Sequence, residues 1–94
     1  MIGLQFDWDE NKNRTNRRKH GISFEEARSA FYDERAKVYA DPDHSEQEDR
    51  FILLGVSFRL RVLVVCHCSR EGDRIIRIIS ARKANKREEK SYWS

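Results

Sequence analysis

A run of consecutive apolar residues in the second half of the chain constrains the fold most strongly. Residues 62–66 read Val-Leu-Val-Val-Cys. Because side chains alternate between the two faces of a strand, this run is apolar on both faces. Such a strand belongs in the centre of a sheet that is covered on both sides. We therefore predict a sheet with other elements packed above and below it.

The length and composition of the chain predict one compact domain. The chain has 94 residues, of which 38% are hydrophobic and 37% are charged. This length leaves no room for two cores, so we predict a single domain over 1–94. No apolar stretch reaches the 18 residues that a transmembrane helix needs, and the amino-terminal residues lack the features of a signal peptide. We expect a cytoplasmic protein without membrane contact.

Periodicity and turn signals predict the remaining elements. These are a strand over 4–8, helices over 10–19 and 24–33, strands over 36–40, 50–56, 61–68 and 74–80, and a helix over 83–92. Asp9 is the predicted N-cap of the first helix and Gly21 ends it, while Ser23 and Glu26 have the spacing of a capping box. The order β-α-α-β-β-β-β-α predicts an α+β fold with a small, mostly antiparallel sheet of four to five strands.

The first predicted helix contains no apolar residue. Residues 12–20 carry five lysines and arginines and no acid. A helix that is polar all round is not anchored by a stripe of its own, so Trp8 and Ile22 must hold it at its ends. It is either a solvent-facing connector or a basic surface for phosphates or a protein partner. Spacings of four and three place Lys12, Asn16 and Lys19 on one face.

Residues 19–24 also resemble the turn of a DNA-reading helix-turn-helix unit. In such a unit the first helix packs on the second through apolar residues. The first helix here has none. A direct DNA reader is therefore disfavoured.

The last predicted strand carries a charged residue inside an apolar run. Residues 75–79 read Ile-Ile-Arg-Ile-Ile, and alternation puts Arg77 on one face and Ile76, Ile78 and Ser80 on the other. An arginine inside a strand is costly unless it has a partner or lines a cleft. Arg77 therefore either forms an ion pair or binds an anion, and two further bases follow at positions 82–83.

Two histidines are candidates for proton transfer. His67 alternates with Val65 and Ser69 on an otherwise apolar face, so it is either a core residue or a catalytic one. His20 lies at the predicted end of the first helix, where it either caps the helix or acts in catalysis. The sequence leaves both alternatives open.

No metal site is predicted. The triplet Cys66-His67-Cys68 has ligand residue types, but His67 points away from both sulfurs in a strand. An acidic cluster at Asp41, Asp43 and Glu46 shows no recognised ligand spacing. A divalent-metal nuclease is therefore only a third alternative, and we predict no cofactor.

Several segments together resemble the BrnT family of toxin ribonucleases. The matching stretches are 6–12 (Phe-Asp-Trp-Asp-Glu-Asn-Lys), 16–27 with its Lys-His-Gly-Ile-Ser-Phe core, 41–45, 50–51 and 76–84 (Ile-Arg-Ile-Ile-Ser-Ala-Arg-Lys-Ala). The resemblance implies a RelE-like fold, RNA cleavage that halts translation, and neutralisation by a BrnA-type antitoxin. That partner carries a DNA-binding segment, so the complex would repress its own operon. Dimerisation within the complex stays open.

The residues indicate how metal-free RNA cleavage could proceed. The reaction needs a base for the 2′-hydroxyl, an acid for the leaving 5′-oxygen and cations for the developing phosphorane charge. We expect Arg77 and Arg82 on the phosphate and His20 or His67 in proton transfer. Further RNA contacts are expected from Lys12, Asn16, Lys19, Arg61 and Lys83. The alternative function is a non-catalytic module that binds nucleic acid or protein through residues 10–19.

Overall fold

The computed structural model describes residues 4–42, 50–70, 72 and 74–94. Its elements are β1 (Gln5–Asp7), α1 (Glu10–His20), α2 (Phe24–Ala30), β2 (Lys37–Ala40), β3 (Arg50–Val56), β4 (Val62–Arg70), β5 (Ile75–Lys83) and α3 (Lys86–Trp93). The α+β class and the predicted order of elements are confirmed. The helix α2 is shorter than predicted and β5 is longer, which moves the start of α3 to residue 86.

The five strands form one mixed sheet in the order β1-β5-β4-β3-β2. The pairs β5-β4, β4-β3 and β3-β2 are antiparallel, whereas β1 runs parallel to β5. The parallel pair joins the two ends of the chain, and no local signal in the sequence predicted it. As expected, the apolar strand β4 lies in the centre.

The sheet is covered on both faces. On one face, α1 and α2 lie over a core that includes Phe24, Ala27, Leu63 and Val65. On the other face, α3 packs through Tyr92 on a second cluster with Leu54, Val62 and Val64. Consecutive residues of β4 therefore enter the two cores alternately, which explains the continuous apolar run.

A β-bulge changes the faces of β5. Cys66 pairs with Ser80, but the next residue, His67, pairs with Ile78, so Ile79 is an extra residue. Bulges of this kind shift every residue beyond them by one position. Ile78 lies in the core under the helices, whereas Ser80 lines a cleft on the α3 face. The prediction that these two residues share a face was wrong, because strict alternation does not allow for the bulge.

The bulge also brings two arginines to the same face. Arg77 contacts Asp7 on β1. The side chain of the preceding residue, Phe6, points to the other face of the strand and packs against the core on the α1–α2 side. Arg77 is therefore on the α3 face. Arg82 is on this face as well, because it binds Glu88 of α3. With regular alternation, positions 77 and 82 would have pointed in opposite directions.

Two asparagines replace the missing apolar stripe of α1. Asn13 and Asn16, three residues apart, are buried. The Asn16 amide donates to the carbonyl oxygens of Ile22 and Ala81, both at 2.8 Å, and accepts from the Ala81 N–H at 3.1 Å. The Asn13 side chain accepts from the Phe24 N–H at 2.8 Å. Hydrogen bonds to backbone thus hold a helix that has no apolar face.

The predicted helix caps are present with one difference. Asp9 accepts from backbone N–H groups of the first turn of α1, and Gly21 ends the helix with φ +72°. Ser23 accepts from the Glu26 N–H, as predicted. The second bond of a capping box would need the Glu26 carboxylate, which instead binds Arg61. Ser23 is therefore a simple N-cap.

The turn between β3 and β4 holds Leu60 in a left-handed conformation, with φ +61°. This conformation costs a residue with a Cβ about 1–2 kcal/mol, whereas glycine's greater loss of entropy on folding costs about 0.5–1 kcal/mol. We expect Leu60→Gly to raise the free energy of unfolding by about 0.5–1 kcal/mol in urea denaturation. Leu60→Ala keeps the strain and should give no gain; an equal gain in both variants would contradict this explanation.

Candidate active site

A cleft on the α3 face of the sheet brings two of the predicted catalytic residues together. It has a volume of about 390 Å³, and its lining comprises His20, Asp41, Ile52, Val64, Cys66, Ser80, Ala81 and Arg82. The floor continues through Ile52 and Val64 into an apolar groove of about 360 Å³ beside α3. His20 and Arg82 are the ionisable residues of this cleft that the sequence predicted for catalysis.

His20 reaches the cleft because α1 is fastened to the edge of β5. The short strand β1 pairs only with residues 75–77 of β5, so no strand of the described residues lies beside the edge of β5 at Ala81. The Asn16 amide bonds to both backbone groups of Ala81 and takes the place of that strand. His20 lies one helical turn after Asn16, at the exposed end of α1. The same anchor therefore positions the imidazole.

Arg82 is held by α3. Its two terminal nitrogens donate to the two carboxylate oxygens of Glu88, both at 2.8 Å, and Nη1 also donates to the Lys83 carbonyl at 3.2 Å. The hydrogen bonds from Arg82 lower the pKa of Glu88, which therefore stays ionised. A guanidinium has five N–H donors, so two beyond these three bonds can face a phosphate.

Glu88 also caps α3. Its carboxylate accepts from the Asn85 N–H, and the Asn85 side chain accepts from the Glu88 N–H, each at 2.8 Å. The spacing Asn-x-x-Glu is a signal of a helix start that the sequence analysis missed. No local signal indicates the bond to Arg82, because it depends on how α3 returns to the sheet.

Arg77 lies on the same face but pairs with Asp7. Its Nη1 is 3.2 Å from Asp7 Oδ1, and both side chains are partly exposed. Among the described residues, those that line the cleft do not include Arg77. The structure thus places Arg77 beside the cleft and not within it.

His67 lies on the opposite face, inside the core. Its ring centroid is 4.8 Å from that of Phe31 and 6.0 Å from that of Phe51, and Nδ1 is 3.2 Å from the Val65 carbonyl oxygen. Burial lowers the pKa of His67, since the charged form loses its hydration. The structure does not bring His67 together with His20. The contacts of the His67 ring are those of a core residue, so packing accounts for its position.

The cysteine pair has no partner set for a metal among the described residues. Cys66 Sγ is 3.6 Å from Asp41 Oδ2, and burial together with the negative charge of Asp41 raises the pKa of Cys66 to about 11. Its thiol is protonated at neutral pH and is a poor ligand and nucleophile. No group of three or more ligand residues converges within the part of the chain that the structure describes. Asp43 and Glu46 lie outside that part.

Comparison with known proteins decides the family. A family model described as "Ribonuclease toxin, BrnT, of type II toxin-antitoxin system" matches residues 8–88. The chain belongs to the BrnT family. Its structure is similar to the crystal structure of the Brucella abortus ribonuclease toxin BrnT, with a TM-score of 0.68 and 27% identity over 89% of this chain and 100% of that chain. No curated protein sequence matches significantly.

For a BrnT ribonuclease the cations around the cleft are of interest. Lys19, which precedes His20, is exposed at the end of α1, whereas the exposed Lys83 pairs with Leu63 and lies on the face of the sheet opposite to Arg82. Lys12 is also exposed, and it lies on α1 about 12 Å before His20 at a rise of 1.5 Å per residue. Lys12 and Lys19 can meet a polyanion that extends out of the cleft along α1.

Two other predicted RNA contacts of this BrnT chain have structural roles. The Asn16 side chain is buried, and its amide is used in three bonds to backbone. Arg61 forms two hydrogen bonds with the buried Glu26 carboxylate. Both residues therefore hold elements of the fold in place.

None of the helices in the described part of the chain is long and apolar enough to span a membrane.

Proposed function

We propose that this BrnT-family toxin has a RelE-like fold and cleaves RNA without a metal ion in the cleft that His20 of α1 and residues of β3, β4 and β5 line. Membership of a ribonuclease toxin family supports RNA as the substrate. The observation that carries the assignment of the site is the meeting of His20 and Arg82 in one cleft. They are the residue types that a metal-free reaction needs, namely a proton-transfer group and a fixed cation.

His20 transfers the proton in this proposal. Imidazole titrates nearest neutral pH among the common side chains, so it can take the proton of the RNA 2′-hydroxyl and return one to the leaving 5′-oxygen. The RNA supplies the nucleophile, which removes any need for the Cys66 thiol. The position of His67 in the core favours His20 for this role.

Arg82 binds the scissile phosphate. A guanidinium is always charged and can bond two oxygens, so it stabilises the charge that develops on the phosphorane. Glu88 fixes the plane of the Arg82 guanidinium before substrate binds. Arg77 and the lysines at positions 12 and 19 contact neighbouring phosphates and raise the rate of encounter, and Lys83, on the other face of the sheet, adds only to the overall positive charge.

The partner of the toxin is a BrnA-type antitoxin. Type II systems pair a toxin with a protein antitoxin, and family membership supports such a partner here. In this proposal, the toxin acts in the cytoplasm, where RNA cleavage stops translation. DNA is contacted only through the antitoxin, whose DNA-binding segment lets the complex repress its own operon.

The direct test is to incubate the purified chain with single-stranded RNA in the presence and absence of EDTA. We expect fragments that end in 2′,3′-cyclic phosphate, formed at the same rate with EDTA, because the 2′-hydroxyl is the nucleophile and no metal takes part. Mass spectrometry of the fragments reads the ends. RNA that stays intact but bound would support the non-catalytic module, and loss of cleavage with EDTA would support a metal nuclease.

A further inference from the structure

The β3–β4 turn presents two large apolar side chains to solvent. Phe58 is 67% exposed and Leu60 is 85% exposed, and only Arg59 lies between them. Exposed apolar residues are common one at a time, but adjacent large ones at a protruding turn indicate a contact surface. Leu60 is also held at φ +61°, a conformation that favours glycine.

The turn is rigid despite its exposure. Ser57 N–H donates to the Arg61 carbonyl at 2.9 Å, and Leu60 N–H donates to the Ser57 carbonyl at 2.8 Å. The Phe58 N–H donates to Ser29 Oγ of α2 at 2.9 Å. Because the backbone is already fixed, a partner that covers these side chains orders only their rotamers, and this preorganisation lowers the entropy cost of binding.

A buried network fixes the base of the turn to α2. Ser57 Oγ donates to the Glu26 carboxylate at 2.7 Å, and the Arg61 guanidinium binds the same carboxylate. Glu26 is 2% exposed. The backbone strain at Leu60 is thus supported by several bonds, and strain kept in this way is typical of functional segments.

The charges around the turn favour an acidic partner. Arg59 lies between the two apolar side chains, and Arg35 is within electrostatic reach of Asp33, which accepts from the Val56 N–H just before the turn. Two carboxylates lie nearby, and each has its own cation, because Arg61 binds Glu26 and Arg35 offsets the charge of Asp33. A ligand that covers Phe58 and Leu60 would therefore meet the exposed Arg59 between them.

We propose that the 57–61 turn is a docking point for the antitoxin, with Phe58 and Leu60 entering an apolar pocket and an antitoxin carboxylate facing Arg59. The proposal rests on the proposed function for the existence of that partner. A protein is favoured over RNA because leucine offers a base neither a ring to stack on nor a hydrogen bond. None of the residues of the turn is among the described residues that line the cleft, so substitutions in the turn leave the residues of the cleft in place.

The test uses the protein encoded by the reading frame beside the toxin gene. Its affinity for the full-length toxin is measured by calorimetry, and RNA cleavage is measured on the same preparations. The double variant Phe58→Ala/Leu60→Gly should bind at least about 30-fold more weakly while cleaving RNA at the wild-type rate, since hot-spot residues carry effects of this size. Glycine suits the backbone at position 60, so misfolding would not explain the loss.

Leu4→Ala is the matched control, because Leu4 is an apolar residue that is 40% exposed just before β1, and β1 pairs with the end of β5 that is remote from the turn. It should leave the affinity unchanged. Unchanged affinity in the double variant, or no binding by the wild type, would overturn the docking proposal. A double variant that keeps its affinity but loses RNA binding would overturn it in favour of an RNA contact. Absence of cleavage by the wild type would contradict the proposed function alone.

Discussion

Replacing either His20 or Arg82 by alanine is expected to lower the rate of RNA cleavage by about 10²-fold or more. General acid–base groups and preorganised cations each contribute factors of about this size. The effect should fall on kcat, since both side chains act on groups whose charge changes in the transition state. Single-turnover cleavage of a defined single-stranded RNA measures it, with RNA affinity determined separately by fluorescence anisotropy.

The proposed joint action of His20 and Arg82 also predicts how the double variant behaves. His20→Ala/Arg82→Ala should lose much less than the product of the single losses, because residues that serve one reaction step act as a unit. Arg70→Ala is the matched control, an exposed arginine on β4 that lies outside the cleft among the described residues. If Arg82→Ala and Arg77→Ala both retained full cleavage and growth arrest, the assignment of phosphate binding to these arginines would be wrong.

Arg61→Ala is expected to destabilise the protein by about 3 kcal/mol at neutral pH, a large share of the stability of a small domain. The Glu26 side chain is 3% exposed, so removal of its cationic partner leaves a buried carboxylate with Ser57 as its remaining side-chain donor. Arg61 is one-quarter exposed, which places the loss at the lower end of the range for buried pairs. Urea denaturation at neutral pH measures the difference.

The loss should shrink in acid. Burial alone would raise the pKa of Glu26, but hydrogen bonds from Arg61 and Ser57 and the charge of Arg61 outweigh it and lower the pKa. This stabilisation is present above the ordinary glutamate pKa and is lost as the pH falls through the lowered value. Without Arg61 the pKa rises, so the variant gains relative to the wild type near pH 4. Arg59→Ala, at an exposed neighbour, should change stability by less than about 0.5 kcal/mol.

The local features of the fold could be predicted because they depend on neighbours in the chain. Asp9, Gly21 and Ser23 mark helix ends through bonds that form within one turn, and all three were recognised from the sequence. The weakness of local reasoning shows at Glu26. Its spacing predicted a capping box, but the carboxylate binds a residue 35 positions away.

The candidate site could be predicted only in part. His20 and Arg82 were both expected to act, but so was His67, which the structure places in the core on the other face of the sheet. A lone histidine in an apolar strand gives the same sequence pattern whether it is a core residue or a catalytic one. The two roles are distinguished only by whether the histidine lies on the face of the sheet that α2 covers, and which face α2 covers depends on the whole fold.

The sequence by itself determined the central strand. The run at 62–66 is apolar on both faces, and no other position in an α+β sheet satisfies such a strand. It also determined that α1 is basic and lacks an apolar face. These properties belong to single segments, so they follow from residue order and from the geometry of one helix or strand.

The tertiary structure alone decided how the cleft is assembled. The extra residue at Ile79 turns Ser80 and Arg82 to the α3 face, and Asn16 fastens α1 to the open edge of β5 so that His20 meets them. Neither event leaves a local signal. A bulge and an edge bond arise where two distant segments must match in length and satisfy each other's backbone groups, and that match exists only after the strands have paired.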